Sequence, residues 1–142
     1  MPMHDPVTGA GMRVSADGSI GNLGYPVGAT LVTASATGTT AAVAATLPGV
    51  AGKTTYITGF QVTQKNPTAA VDITVTTTGL ATNMSWNMSL LATAATVLHP
   101  APLTVLFDPP MPASGANAAI VVTAGAAGAG GLASVNVQGY QL

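Results

Sequence analysis

The sequence predicts an all-β fold, an eight-stranded antiparallel β-sandwich that is jelly-roll-like and preceded by an extended N-terminal arm. Residues that favour helices are scarce, because only seven of the 142 residues are charged and Glu is absent. Several runs alternate apolar and polar residues, which is the period of a strand with one buried face. Eight such runs are separated by Gly, Pro and Asn turn signals, a spacing typical of sandwiches and barrels.

The eight strand candidates are short, and each ends at a turn signal. They span residues 28–36, 40–47, 54–64, 70–78, 83–91, 103–108, 117–124 and 132–141. Eight strands in two sheets is the jelly-roll number. An immunoglobulin-like sandwich of seven to nine strands is the alternative that the sequence leaves open.

The fourth, sixth and seventh candidates predict which side chains face inward. Residues 71–75 and 103–107 alternate strictly, which predicts one buried and one polar face for each strand. The apolar residues 120–122 are continuous, which predicts burial on both faces. The run GAAGAGG at 125–131 predicts a flexible loop, and it lacks the context of a dinucleotide-binding fingerprint.

Five prolines surround the sixth candidate. Because proline cannot donate a ladder hydrogen bond, they are expected to stop strand pairing on both sides of residues 103–108. They are Pro100, Pro102, Pro109, Pro110 and Pro112.

A stripe of large side chains marks the fifth candidate, where Met84, Trp86 and Met88 share one face. Alternation alone explains a core strand, which is the simpler interpretation. Trp and Met are also enriched at the centres of protein interfaces. The stripe is therefore a candidate for either the core or a subunit interface.

Composition excludes several classes of partner and site. The three basic residues are too few for the phosphate contacts that dominate nucleic-acid binding. No Cys is present, so disulfides and thiolate metal sites are excluded. No apolar run is long enough to cross a membrane, and the first residues lack the pattern of a secretion signal. A surface so poor in charge indicates coverage by other subunits, because small free domains usually carry more charge.

The chain divides into an arm, residues 1–25, and a sandwich domain, residues 26–142. The arm is rich in Gly, carries three charges and shows no sustained alternation, so it cannot build a core of its own. It is either a disordered tail or an extended segment that lies on a neighbouring molecule. In the second case its candidate contacts are Met12, Val14, Ile20, Leu23 and Tyr25.

The letters GKT at residues 52–54 match the end of a phosphate-binding loop. That loop requires a glycine five residues before the Gly-Lys pair, where this chain has Leu47, and a helix after it. Residues 54–63 are instead typical of a strand. We therefore interpret residues 48–53 as a hairpin loop with a solvated Lys53.

Catalytic and metal-binding patterns are weak. His4 and Asp5 lie in the arm, and His99 and Asp108 flank the sixth strand candidate, about 30 Å apart if the chain between them is extended. No trio of nucleophile, base and orienting residue stands out, and the four Asp residues do not form a calcium loop. We predict no catalytic residue, no metal site, no cofactor and no small-molecule substrate.

Three segments resemble small structural proteins of tailed phages: ATLPGVAGKTTYITGFQVT at 45–63, VDITVTTTGL at 71–80, and the stretch from APLTVLFDPPMPASGANAAIVV to VNVQGYQ at 101–141. The recognised pattern is AGKTxYITGF, then xFxPPxPASxxNxAIxV, then a closing VxxxGYQ. It covers about residues 26–142 and marks strands and turns rather than a catalytic site. The arm before Tyr25 matches no named pattern.

The resemblance implies a jelly-roll decoration (cement) protein that binds the outer surface of an icosahedral capsid, usually as a homotrimer on the major capsid protein. The expected location is then the virion. The alternative is a tail-fibre or spike module that binds a host glycan, because some such modules also have few charges and a strand-forming composition rich in Thr, Ala and Gly. An enzyme is the third hypothesis, because a lone His–Asp pair remains in the sequence.

Overall fold

The computed structural model describes residues 25–26, 28–65, 67–92 and 100–142 and shows an all-β sandwich. In the described part of the chain every element is a strand. The strands are β1 (Thr30–Thr40), β2 (Val43–Leu47), β3 (Thr55–Lys65), β4 (Val71–Thr78), β5 (Met84–Leu90), β6 (Leu103–Pro112), β7 (Ile120–Ala124) and β8 (Gly128–Gln141).

Two antiparallel four-stranded sheets form the sandwich, in the orders β1-β8-β3-β6 and β2-β7-β4-β5. The chain folds back on itself around the β4–β5 hairpin, so that β3 pairs with β6, β2 with β7 and β1 with β8. This doubled-back ribbon is wound so that successive pairs fall in alternate sheets. The order is that of a jelly roll, which confirms the predicted fold class.

The core lies between the sheets and follows the predicted alternation. In β4, Ile73 and Val75 are buried while Asp72 and Thr74 are exposed. Seven aliphatic side chains from both sheets are essentially inaccessible to solvent: Leu47, Ile57, Val62, Val75, Ile120, Val122 and Val135. Burial of apolar area on this scale, at about 25 cal/mol per Å², is the main stabilising contribution.

The connection between β2 and β3 differs from the predicted hairpin loop, because these two strands belong to different sheets. Lys53 is half-buried, and its Nζ donates to Oγ1 of Thr30 at 3.3 Å at an exposed position. The turn is held by Asn117, whose Oδ1 accepts a hydrogen bond from the backbone N–H of Gly52 at 2.7 Å. Asn117 itself has a positive φ of 66°, a conformation that Asn adopts more readily than most residues.

The prediction that prolines end the sixth strand at residue 108 is wrong, since β6 continues to Pro112. Leu106 pairs with Gly59 and Met111 pairs with Ile57, so residues 107–110 form a bulge without register partners. β6 is also an edge strand. Prolines are tolerated both in bulges and on edge strands because no ladder hydrogen bond is required of them.

The glycine-rich run 125–131 is also more ordered than the flexible loop predicted, because β8 begins at Gly128. Thr40 pairs with Gly128 while Thr39 pairs with Leu132, so residues 129–131 form a bulge. Gly128 and Gly130 have positive φ values of 78° and 75°, which glycine adopts without strain. The predicted double-sided burial of residues 120–122 is wrong as well, since Val121 is only half-buried.

Candidate functional site

The described part of the chain offers little for acid–base or metal chemistry. Four of the seven charged residues lie in it: Lys53, Lys65, Asp72 and Asp108. No group of three His, Cys, Asp or Glu residues able to hold a metal ion occurs in the described ranges. His4 and His99 lie outside them, so the His99–Asp108 pair has no described geometry. Nor do the described residues include a helix long and apolar enough to cross a membrane.

A concave surface lies on the outer face of the β1-β8-β3-β6 sheet. Antiparallel register places Gln61 of β3 between Asn136 of β8 and Thr104 of β6. One row further along, Gly59 lies between Gln138 and Leu106. The side chains of these rows point away from the core, because successive residues of a strand alternate between the two faces.

These rows enclose a groove of about 570 Å³, which we call the amide groove. Beside the groove, β6 lies close over Gly59, which is next to the β3–β6 register shift. A Cβ at this position would approach the carbonyl oxygen of Val105 and Cδ2 of Leu106 to within 3.0 Å. The outward-facing residues that define the groove are Thr33, Ser35, Gln61, Thr104, Leu106, Asn136 and Gln138.

The amide groove is polar but uncharged. Nε2 of Gln61 donates to Oγ1 of Thr104 at 3.3 Å. The side-chain amides of Asn136 and Gln138 make no hydrogen bond to other described residues. Leu106 is 73% exposed at the rim and adds one apolar contact. The groove therefore suits a neutral ligand with both donors and acceptors.

A tyrosine cluster lies one register row beyond the amide groove. Tyr56 and Tyr140 are register partners on neighbouring strands, and their rings stack with centroids 4.9 Å apart and planes at 12°. The ring of Tyr25 meets Tyr140 edge-on at 5.7 Å. Burial, and secondarily the neighbouring Tyr56, raises the pKa of Tyr140 above its ordinary value of 10.0. The outer face of this sheet is thus aromatic at the tyrosine row and polar at the rows of Gln138 and Asn136.

The contacts predicted for the arm have only one member in the described residues. Tyr25 was expected to lie on a neighbouring molecule, and the structure places it against Tyr140 of its own chain. The other four candidate contacts lie outside the described residues. They are Met12, Val14, Ile20 and Leu23.

The stripe of Met84, Trp86 and Met88 lies on the inner face of β5, half-buried and packed against the core. The ring of Trp86 contacts that of Phe60 in the opposite sheet, with centroids 5.1 Å apart. β5 is an edge strand, so part of each side chain stays accessible at the side of the sandwich. The stripe thus packs against the core, and whether its accessible part also forms a subunit interface stays a prediction.

The outer face of the β2-β7-β4-β5 sheet carries short polar side chains. Asp72, Thr74, Ser85, Asn87 and Ser89 alternate outward there. Oγ1 of Thr74 donates to Oδ1 of Asn87 at 3.1 Å, so this amide is already partnered within its own face. The two outer faces therefore differ in the hydrogen-bonding groups that they leave unused.

Comparison with protein-family models, with curated proteins and with solved structures finds no match to this chain. The amide groove was not predicted from the sequence. Its only local signal is the alternation of Ser134, Asn136 and Gln138 along β8, which indicates a polar outward face but not a groove. The groove requires the non-local register of four strands.

Proposed function

We propose that this chain is a structural virion protein that decorates and stabilises an icosahedral phage capsid. In this proposal it binds as a homotrimer to the outer surface of the shell of the major capsid protein, and it is not an enzyme. Two independent lines support it: the phage-protein resemblance of residues 26–142 and the chemistry of the surface.

The observation that carries the proposal is a sandwich with large faces and edges but very few charges. Four charged residues occur in the described ranges, while Leu31, Leu91 and Leu106 are each more than 60% exposed. Burying such a surface in a protein interface costs little desolvation free energy, because unpaired charges are the groups that are most costly to desolvate. Proteins that remain free and monomeric rarely combine low charge with exposed large apolar side chains.

The fold also suits a cementing role. A rigid sandwich presents four edge strands, β1 and β6 in one sheet and β2 and β5 in the other, as places where neighbours can pack. A trimer that contacts several capsid subunits at once gains avidity beyond the affinity of one contact. No chemistry is required of such a protein.

The test has two parts, both with the full chain. Light scattering after size-exclusion chromatography should give about three times the chain mass of 13.8 kDa. Shells assembled from the major capsid protein should then bind the trimer saturably in co-sedimentation and become more resistant to heat. A monomer that leaves the shells unbound and unstabilised would overturn the proposal.

A second candidate is a tail-fibre or spike module that binds a host glycan, and the amide groove is the observation that favours it. Neutral amides and hydroxyls match the donors and acceptors of sugar hydroxyls. A glycan array distinguishes the two candidates, because the capsid proposal predicts no saturable glycan binding.

A further inference from the structure

The four edge strands of the sandwich differ in how well they are protected against pairing with another chain. β6 carries three prolines and a bulge at residues 107–110, which interrupt a ladder of hydrogen bonds. β2 and β5 are short, with five and seven residues. β1 has eleven residues, no proline and no charge, and it pairs regularly with β8 from Thr30 to Thr39. β1 is therefore the least protected edge among the described strands.

The backbone groups along the free edge of β1 are available to a further strand. β8 pairs with β1 on one side, and no described strand pairs with it on the other. About half of the N–H and C=O groups of an antiparallel strand point to each side, so this edge presents a row of donors and acceptors. The inward-facing Ala34 and Ala36 are only half-buried, whereas their β8 neighbours Val137 and Val135 are buried. A strand added at this edge would also cover these alanines.

We propose that the free edge of β1 pairs with β1 of a second copy of this chain, antiparallel and about a twofold axis at Ser35. The two four-stranded sheets then join into one continuous sheet. The inference goes beyond the proposed function, which does not say which surfaces of the copies meet. A twofold contact cannot close a ring of three, so in a trimeric assembly it joins copies from neighbouring trimers.

A second β1 matches this edge better than the other described edge strands do. Ser35 is the midpoint of Thr30–Thr40, so pairing about it opposes all eleven residues and forms the longest ladder. β2 and β5 are shorter and would leave part of β1 unpaired, and the bulge of β6 would interrupt the ladder. Length and regularity thus favour β1 itself as the partner.

The outward-facing side chains that this register brings together are compatible. Thr33 lies opposite Thr37 of the second copy, and Ser35 lies opposite its own counterpart. Cross-strand pairs of hydroxyl side chains stabilise antiparallel sheets. Leu31, which is 61% exposed, lies opposite Thr39 and gains an apolar contact with its methyl group. The pairing therefore buries no charged group and reduces the exposure of one large apolar side chain.

Electrostatic repulsion does not oppose the pairing. Nζ of Lys53 contacts Oγ1 of Thr30 at one end of β1. The antiparallel arrangement places the Lys53 residues of the two copies at opposite ends of the ladder, about 30 Å apart for eleven paired residues. Salt at physiological concentration screens the repulsion between charges at this distance.

Charge exchange at the twofold axis tests the pairing. Ser35→Lys and Ser35→Asp each place two like charges directly opposite one another, so each variant alone should associate about fivefold more weakly. An equimolar mixture should recover the association, because Lys then faces Asp. Thr104→Lys and Thr104→Asp, on the protected edge strand β6, are the matched control and should behave like the parent chain.

Sedimentation velocity over a range of concentrations measures this association. β1 pairing is the step that doubles the particle mass, from monomer to dimer or from trimer to hexamer, so its failure is distinguishable from failure of the trimer. No doubling step in the parent chain would overturn the proposal. So would a mixture of the Ser35 variants that associates no more strongly than either variant alone.

A second measurement exploits the absence of cysteine from the chain. Ser35→Cys should give crosslinked dimers with a short thiol-specific crosslinker, because residues directly opposite in an antiparallel pair have Cβ atoms about 5 Å apart. Thr104→Cys, equally outward-facing on β6, is the control and should give few dimers. No dimer with Ser35→Cys, or equal yields from the two variants, would contradict pairing through β1.

Discussion

The indole ring of Trp86 meets the phenyl ring of Phe60 edge-on, with centroids 5.1 Å apart and ring planes at 70°. Trp86 belongs to β5 and Phe60 to β3, so this contact joins the two sheets. Phe107 of β6 lies 6.2 Å from Phe60 and extends the cluster along the same side of the sandwich. Edge-to-face aromatic pairs contribute about 0.5–1.5 kcal/mol beyond the area that they bury.

Trp86→Ala should lower the free energy of unfolding by about 2–4 kcal/mol, less than for a fully buried Trp because the residue is half-buried. Trp86→Phe should lower it by about 1 kcal/mol, since a ring remains to contact Phe60. Urea unfolding followed by far-UV circular dichroism measures both. Ser89→Ala, on the same strand but outward-facing, is the control and should stay within about 0.5 kcal/mol. Equal stability of Trp86→Ala and the parent chain would contradict the inter-sheet role.

Gly79→Ala and Gly52→Ala form a matched pair, because both glycines have positive φ values, 84° and 75°. A Cβ on Gly79 would collide with the backbone carbonyl oxygen of Ala119, while a Cβ on Gly52 meets nothing within 4 Å. Gly52→Ala should therefore cost only the backbone strain, about 1 kcal/mol. Gly79→Ala should cost at least about 2 kcal/mol more, because backbone must move. Thermal and urea unfolding measure the difference, and equal costs would contradict the described turn.

Gln64 and Gln141 are both buried, at 6% and 4% exposure, but they differ in their hydrogen bonds. Neither polar side-chain atom of Gln64 has a partner within the described residues, whereas Nε2 of Gln141 donates to the carbonyl oxygen of Pro48 at 2.7 Å. Gln64→Met should raise the free energy of unfolding by about 1 kcal/mol, because an unsatisfied amide is replaced by an apolar chain of similar size. Gln141→Met should lower it by about 1–3 kcal/mol. Changes of the same sign, measured by urea unfolding, would contradict the hydrogen-bond assignment.

Stability should fall at high pH through Tyr140. Its pKa in the folded chain is raised above the ordinary 10.0, first by burial and then by Tyr56. The folded state therefore holds the phenolic proton more tightly than the unfolded state. The contribution of Tyr140 to the free energy of unfolding is fully present below about pH 10, and it is lost as the pH rises through the folded-state pKa. Unfolding measured from about pH 9 to about pH 11 should show a smaller decline for Tyr140→Phe than for the parent chain. An identical decline would mean that Tyr140 titrates as in the unfolded chain.

Local patterns predicted much of this fold because they act within single strands. The alternation in β4 and β5 identified their inward faces correctly, since a strand with one buried face requires period-two patterning. The same reasoning failed at residues 107–110 and 129–131, where bulges carry prolines and glycines inside longer strands. Whether such residues end a strand or bulge within it depends on the partner strand, which no local pattern contains.

The surface features were harder to predict. The amide groove assembles Asn136, Gln61 and Thr104 from three strands that are far apart in sequence, and their register is set by the whole sandwich. The inter-sheet crossing between β2 and β3, with its half-buried Lys53, likewise depends on topology. Composition alone predicted a surface with few charges. The structure shows where neutral polar side chains lie together, which is the amide groove.

Cryo-electron microscopy of the phage particle that is proposed to carry this chain tests the capsid proposal most directly. We expect trimeric density of this sandwich at fixed positions on the outer surface of the icosahedral shell. Density confined to the tail, or a particle without the chain, would contradict the proposed role.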